Sequence, residues 1–200
     1  MNILYVHGIG SNRNGNTVNW MREYLVGHTI YSFDIPADPD AAISFIKNKC
    51  DELDINLIVG TSLGGFYAMQ IYGVQKILIN PAIKAYETVA NVIGIGTHEY
   101  LGDREDGIQQ YTIDDVFVEK LKTQAIRHFE NIDEEVTAET YGIFGTQDEV
   151  CDFRQEFINL YRDKQFWEAD FGHRMTEDIF TTVFMNVFRQ AEEDYNKRVW

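Results

Sequence analysis

The chain has 200 residues, of which 44% are hydrophobic, and a formal net charge of −15. That length holds one domain with a sizeable core and little room for two. The acidic balance repels phosphate backbones and anionic bilayers, so nucleic acid is excluded as a partner and no membrane insertion is expected; no stretch reaches the roughly 18 apolar residues of a span.

The first apolar run, 3–7 (ILYVH), predicts a strand almost at the N-terminus, where a secretory signal would show a basic region followed by an apolar one. The loop HGIGSNRNGNT (7–17) follows it and has two readings. Gly10 and Gly15-Asn16-Thr17 have the spacing of a phosphate-binding loop, but Asn16 stands where that loop needs a lysine to reach the phosphates. The alternative is a strand-end turn that presents a backbone N–H to a ligand. A helix is expected over 15–26 and a strand over 29–34, then a helix over 39–51 and the strand INLIVG (55–60). Further on come a helix over 63–73, the strand KILIN (76–80), TYGIFG (140–145), a helix over 150–162, QFWEA (165–169) and a helix over 176–195.

Several of these strands are apolar without alternation, as expected when both faces of a sheet are covered. Strand–helix alternation implies a mostly or fully parallel six-stranded sheet with helices on both faces and ligands at the carboxyl ends of the strands. In the last helix Ile179, Phe180, Val183, Phe184, Val187 and Phe188 recur at helical period and read as core. Residues 82–137 break the rhythm, being too long for a plain crossover. They are expected to form a helical, cap-like insertion after the fourth strand, with helices at about 84–94 and 114–130 around the loop GTHEYLGDREDG. The insertion would either cap the site or be an elaborated crossover; its Tyr86, Tyr100, Tyr111 and Phe117 suggest an aromatic pocket wall. The DREDG turn misses the calcium-loop register and reads as a solvated turn. Cys50 and Cys151 lie far apart and in no metal-ligand spacing, so both read as reduced thiols of a cytoplasmic protein.

Gly60-Thr61-Ser62-Leu63-Gly64 is G-x-S-x-G between a strand and a helix, the setting of a nucleophile elbow. A serine needs a base, and the base an acid to orient it. Of five histidines, His28 starts a strand at the far edge and His98 and His128 lie in the insertion. His7 and His173 follow strands at the correct edge, and in the order Ser…Asp…His the base is His173. Asp148 comes soonest after the fifth strand, with Glu149 and Asp152 as alternatives; an aspartate there could instead cap the next helix. Cys151 has no histidine of its own and reads as a bystander, and His7 as a structural anchor of its turn.

HGIGSN (7–12), GTSLGGFYA (60–68), INPA (79–82), DEVCDFRQ (148–155) and Gly172-His173 together resemble the α/β-hydrolase superfamily, and within it the small YqiA-type esterase family. The resemblance implies an α/β-hydrolase fold over a single domain, 1–200, and a serine esterase or thioesterase acting on a small-molecule acyl substrate. It implies Ser62, Asp148 and His173 as the triad, and no metal or organic cofactor. The oxyanion would meet the backbone N–H groups of Leu63 and Ile9. A nucleotide-binding protein built on 10–17 and a catalytically inactive hydrolase fold serving as a binding module are the rival readings. Acyl group, leaving group and oligomeric state are left open by the sequence.

Overall fold

The computed structural model describes residues 1–162 and 165–198. Six strands form one sheet: β1 (Asn2–Val6), β2 (Thr29–Ser32), β3 (Leu57–Thr61), β4 (Gln75–Ile79), β7 (Thr140–Gly145) and β8 (Phe166–Ala169). Their order is β2-β1-β3-β4-β7-β8, and every neighbouring pair is parallel. The carboxyl ends therefore share one edge, and His7, Ser62, Asn80 and the loops after β7 and β8 leave from it.

The inner strands β1, β3, β4 and β7 are mostly apolar, and their side chains sort by parity onto two cores. Ile3, Tyr5, Leu57, Val59, Ile77 and Ile143 face α1 (Asn16–Tyr24) and the C-terminal helix. That helix runs through α8 (Glu177–Ile179), a π-helical turn (Phe180–Phe184) and α9 (Met185–Arg198). Its predicted stripe is present: Phe180, Phe184, Val187 and Phe188 are buried. On the opposite face Leu4, Val6, Ile58, Leu78 and Phe144 pack against α2 (Pro39–Glu52), α3 (Leu63–Met69), α5 (Asp115–Phe129) and α7 (Arg154–Tyr161). Capping fixes several helix starts: Asp38 accepts from the N–H groups of Asp40 and Ala41 with Pro39 opening α2, and Asp114 accepts from Phe117. Asp133 does the same for α6 (Glu134–Ala138), a helix the sequence pattern did not predict.

The insertion corrects two expectations. It is not wholly helical: after α4 (Ala85–Thr88) and a π-helical turn (Val89–Ile93), residues expected as loop form β5 (Gly96–Glu99), paired antiparallel with β6 (Gln110–Ile113). DREDG is solvated at Asp103, Glu105, Asp106 and Gly107, as expected, but not at Arg104. Arg104 is buried, its guanidinium lies over the Tyr100 ring, and it pairs with Asp106 and donates to Ile35 O. The Glu105 N–H donates to Asp34, and Glu105 pairs with Arg13. The turn is thus docked onto the loops after β1 and β2. Among the described residues no helix is long and apolar enough to cross a membrane.

Candidate active site

β3 runs straight into α3, and Ser62 between them adopts φ +53°, ψ −121°. A non-glycine residue there is strained, and the surrounding structure must hold it. Two glycines make that turn possible. A Cβ on Gly64 would lie 2.1 Å from Val6 O, and one on Gly60 2.7 Å from Gly64 O. The strand and helix can cross this closely only where side chains are missing. Ser62 O is taken by the N–H groups of Phe66 and Ala82, and its N–H by Ile79 O.

His173 leaves the loop after β8 and Asp148 the loop after β7. His173 Nδ1 lies 2.9 Å from Asp148 Oδ2 and 3.1 Å from Oδ1. The Asp148 side chain is 1% exposed. Its Oδ1 also accepts from the N–H groups of Val150 and Cys151, at 2.8 and 3.0 Å. Burial raises a carboxyl's pKa, but here the His173 hydrogen bond and the two N–H donors outweigh it and hold Asp148 below its usual value. The other two carboxylates do not meet the imidazole: Asp152 pairs with Arg154, and Glu149 is exposed. Asp148 caps no helix, since α7 begins only at Arg154 with Phe153 at its N-cap.

Ser62 and His173 line one cavity of about 540 Å³, shared with Gly8, Ile9 and Leu63. Among the described residues there is no Ser62–His173 hydrogen bond; the polar neighbour of Ser62 Oγ is Cys151 Sγ, 4.0 Å away. Cys151 is fully buried, and burial pushes its thiol up to about 12, so it stays protonated. The Ile9 and Leu63 N–H groups have no protein acceptor among the described residues. His7 is held in its turn: Nε2 accepts from the Ile35 N–H at 3.1 Å, which leaves Nδ1–H to donate to Gly8 O at 2.9 Å. Burial lowers its pKa, so the ring is neutral and both its nitrogens are engaged.

The predicted aromatic wall divides. Tyr100, Tyr111 and Phe117 line a separate, small chamber behind Ile9 and Leu63, and Tyr86 lines neither space. The main cavity takes Ala82, Thr88, Val89, Val92 and Leu101 from the insertion. One positioning residue escaped the sequence reading. Asn80, 1% exposed and at φ +43°, donates to Gly172 O and His173 O at 3.0 and 3.1 Å and accepts from the Gly145 N–H at 2.7 Å. It clamps the His173 loop to the ends of β4 and β7. Its signal was an asparagine before proline at a strand end.

A family model described as "Uncharacterised protein family (UPF0227)" matches residues 2–182. Among solved structures, the chain is similar to a monoacylglycerol lipase from Paleococcus ferrophilus, at 14% identity and a TM-score of 0.65, with 98% of this chain and 94% of that one covered. It is also similar to Est1E from Butyrivibrio proteoclasticus, at 16% identity and 0.67, covering 96% and 87%. A third is an esterase from Exiguobacterium antarcticum, at 15% and 0.55, covering 96% and 92%. These likenesses show the α/β-hydrolase fold.

Proposed function

The chain belongs to the UPF0227, or YqiA-type, family and has the α/β-hydrolase fold, and on that premise we propose that it is a serine hydrolase cleaving small carboxylic esters or thioesters. The observation that carries this reading is the meeting, at one cavity, of a serine on a strained strand-to-helix turn with a histidine whose far nitrogen is held by a buried aspartate. Ser62 Oγ attacks the carbonyl carbon while His173 Nε2 takes its proton. Asp148 keeps the His173 proton on Nδ1 and stabilises the imidazolium. The oxyanion is met by the Leu63 and Ile9 N–H groups, which have no competing acceptor among the described residues. The leaving oxygen or sulfur departs with the proton from Nε2. Water, deprotonated by the same nitrogen, then splits the acyl-enzyme into acid and free serine. This chemistry calls for no metal or organic cofactor, and a cytoplasmic enzyme with a small-molecule acyl substrate is the setting that we propose.

Among the described residues Ser62 and His173 share no hydrogen bond, and the reading requires one to form when substrate binds. The test is a fluorophosphonate probe together with p-nitrophenyl and thioester substrates. Labelling of Ser62 and turnover, both lost in Ser62→Ala, are the expected results. Equal behaviour of wild type and Ser62→Ala across these substrates overturns the enzyme reading in favour of a non-catalytic binding module.

A further inference from the structure

The cavity that holds Ser62 and His173 is lined by both apolar and polar side chains. The insertion supplies Ala82, Val89, Val92, Ile93 and Leu101, with Thr88 as its polar member. Asn12 and Asn14 of the loop that leads into α1, Asn16 and Thr17 of its first turn, and Arg174 supply the rest of the polar lining used here. The chain carries 32 acidic residues, yet no aspartate or glutamate lines this space among the described residues. Arg174 is its cation. It stands exposed at the rim, directly after His173, and among the described residues it makes no ion pair or hydrogen bond. Asp170, Glu177 and Asp178 lie close in sequence but do not line the cavity.

Two further features agree. The N-terminus of α1, a helix of nine residues, opens on the same cavity through Gly15, Asn16 and Thr17. Among the described residues no side chain caps it, and no acidic residue occupies its first turn. Free N–H groups and the positive end of the helix dipole favour an anion there. Thr88 at the end of α4, 6% exposed, lines the cavity from the insertion, and among the described residues its hydroxyl has no nitrogen or oxygen partner. The buried Cys151 thiol is the one weak partner near it. An unmade hydrogen bond at a buried hydroxyl is costly, and a bound ligand atom would complete it.

We propose that the substrate of this site is amphiphilic: an apolar acyl group lies against the insertion, and the leaving group carries an anion, carboxylate or phosphate, held by Arg174 and the first turn of α1. This deepens the hydrolase reading and rests on it. The assignment to the leaving-group side follows from sequence adjacency, because His173 returns its proton to the leaving atom and Arg174 is the next residue. With a net charge of −15 the chain repels anions at long range, so the attraction must be local. The phosphate-loop-like spacing of Gly10 and Gly15 then has a use without its lysine, because Arg174 supplies the charge.

Matched esters test it. Para-acetoxybenzoate is compared with its methyl ester, and para-acetoxyphenyl phosphate separates phosphate from carboxylate. Para-nitrophenyl hemiglutarate and its methyl ester place the anion on the acyl side. Wild type is expected to favour the anionic leaving group by about tenfold or more in kcat/KM, chiefly through KM, as one charge-assisted contact allows. Arg174→Gln should erase most of that preference and Arg174→Glu reverse it; rising salt should weaken it. No preference, a preference confined to the acyl-side pair, or one indifferent to Arg174 overturns the proposal. Failure of wild type to cleave any ester is a different result and refutes the hydrolase reading. Even then, calorimetric binding of para-hydroxybenzoate against its methyl ester, in wild type and Arg174→Gln, reads the anion site without catalysis, and equal binding of the two compounds refutes it.

Discussion

Asp148→Asn separates the orienting aspartate from its neighbours, and the hydrogen bonds state its effect. Oδ1 accepts from the N–H groups of Val150 and Cys151, and Oδ2 is the oxygen nearer to His173 Nδ1, at 2.9 Å. In the asparagine variant the carbonyl oxygen must stay with the two backbone donors, since an amide NH2 there would face two N–H groups. The NH2 then points at Nδ1, which can only accept. The ring proton moves to Nε2, the atom that has to receive the serine proton, and the stabilising negative charge is gone. A loss of about 10⁴ in kcat is expected, roughly 5 kcal/mol of barrier. The control is Asp152→Asn. That carboxylate pairs with Arg154 at the surface, where such pairs contribute about 0–1 kcal/mol, so kcat should change by no more than about twofold. Steady-state kinetics on a p-nitrophenyl ester, with circular dichroism to verify folding, reads both. A larger loss in Asp152→Asn, or a loss under tenfold in a folded Asp148→Asn protein, would refute the reasoning.

Asn80→Ala strands the Gly145 N–H and uncouples the His173 loop. It should cost about 2–4 kcal/mol in urea unfolding and lower kcat more than it changes KM, whereas a substitution that only destabilises would leave kcat near wild type at low temperature. Lys76 is fully buried beside Glu139 and donates to Val74 O at 2.9 Å. Desolvation lowers its pKa from 10.5 to about 8. Between those values the unfolded chain binds a proton that the folded one does not, so stability should rise with pH across that window. Lys76→Met should lack the rise and be no less stable than wild type at neutral pH, because Glu139 retains Arg198. Denaturant midpoints at several pH values in both proteins check this, and parallel curves would refute it.

The inner strands of the sheet were legible because they are buried on both faces, so each shows as a mostly apolar run that tolerates an error of one or two residues at its ends. The residues gathered at its edge were legible for a topological reason: when all strands are parallel, a motif placed after a strand is placed at the site edge as well. What escaped depends on bonds that no local pattern carries. Residues 150–153 look helical, but the Val150 and Cys151 N–H groups are taken by Asp148, and α7 starts only at Arg154. The last helix has the predicted apolar stripe, yet an extra residue is accommodated by the π-helical turn at Phe180–Phe184, which the spacing alone does not reveal.

The hairpin of β5 and β6 shows the limit most clearly. Its strands have four residues each and are half-exposed, and ten residues join them, so neither run length nor a tight-turn pair marks it. Its place is set by distant partners: the Leu101 N–H donates to Gly10 O at 2.7 Å, and Asn12 donates to Asp103 O. Charge counting went wrong at Arg104 of DREDG for the same reason. A guanidinium beside three carboxylates reads as solvated until Tyr100 covers it and Asp106 and Ile35 O satisfy it. These bonds bear on how the cavity works. Swinging the hairpin outward would break the main-chain bond to Gly10, next to the proposed oxyanion donor Ile9, together with the bonds from Arg104 to Ile35 O and from the Glu105 N–H to Asp34. Each such bond contributes about 0.5–1.5 kcal/mol, more where a charged group donates, so losing all three together is costly. These bonds tie the insertion down as a wall of the cavity, and we propose that selectivity in this chain follows from the shape of that wall more than from the closing of a lid.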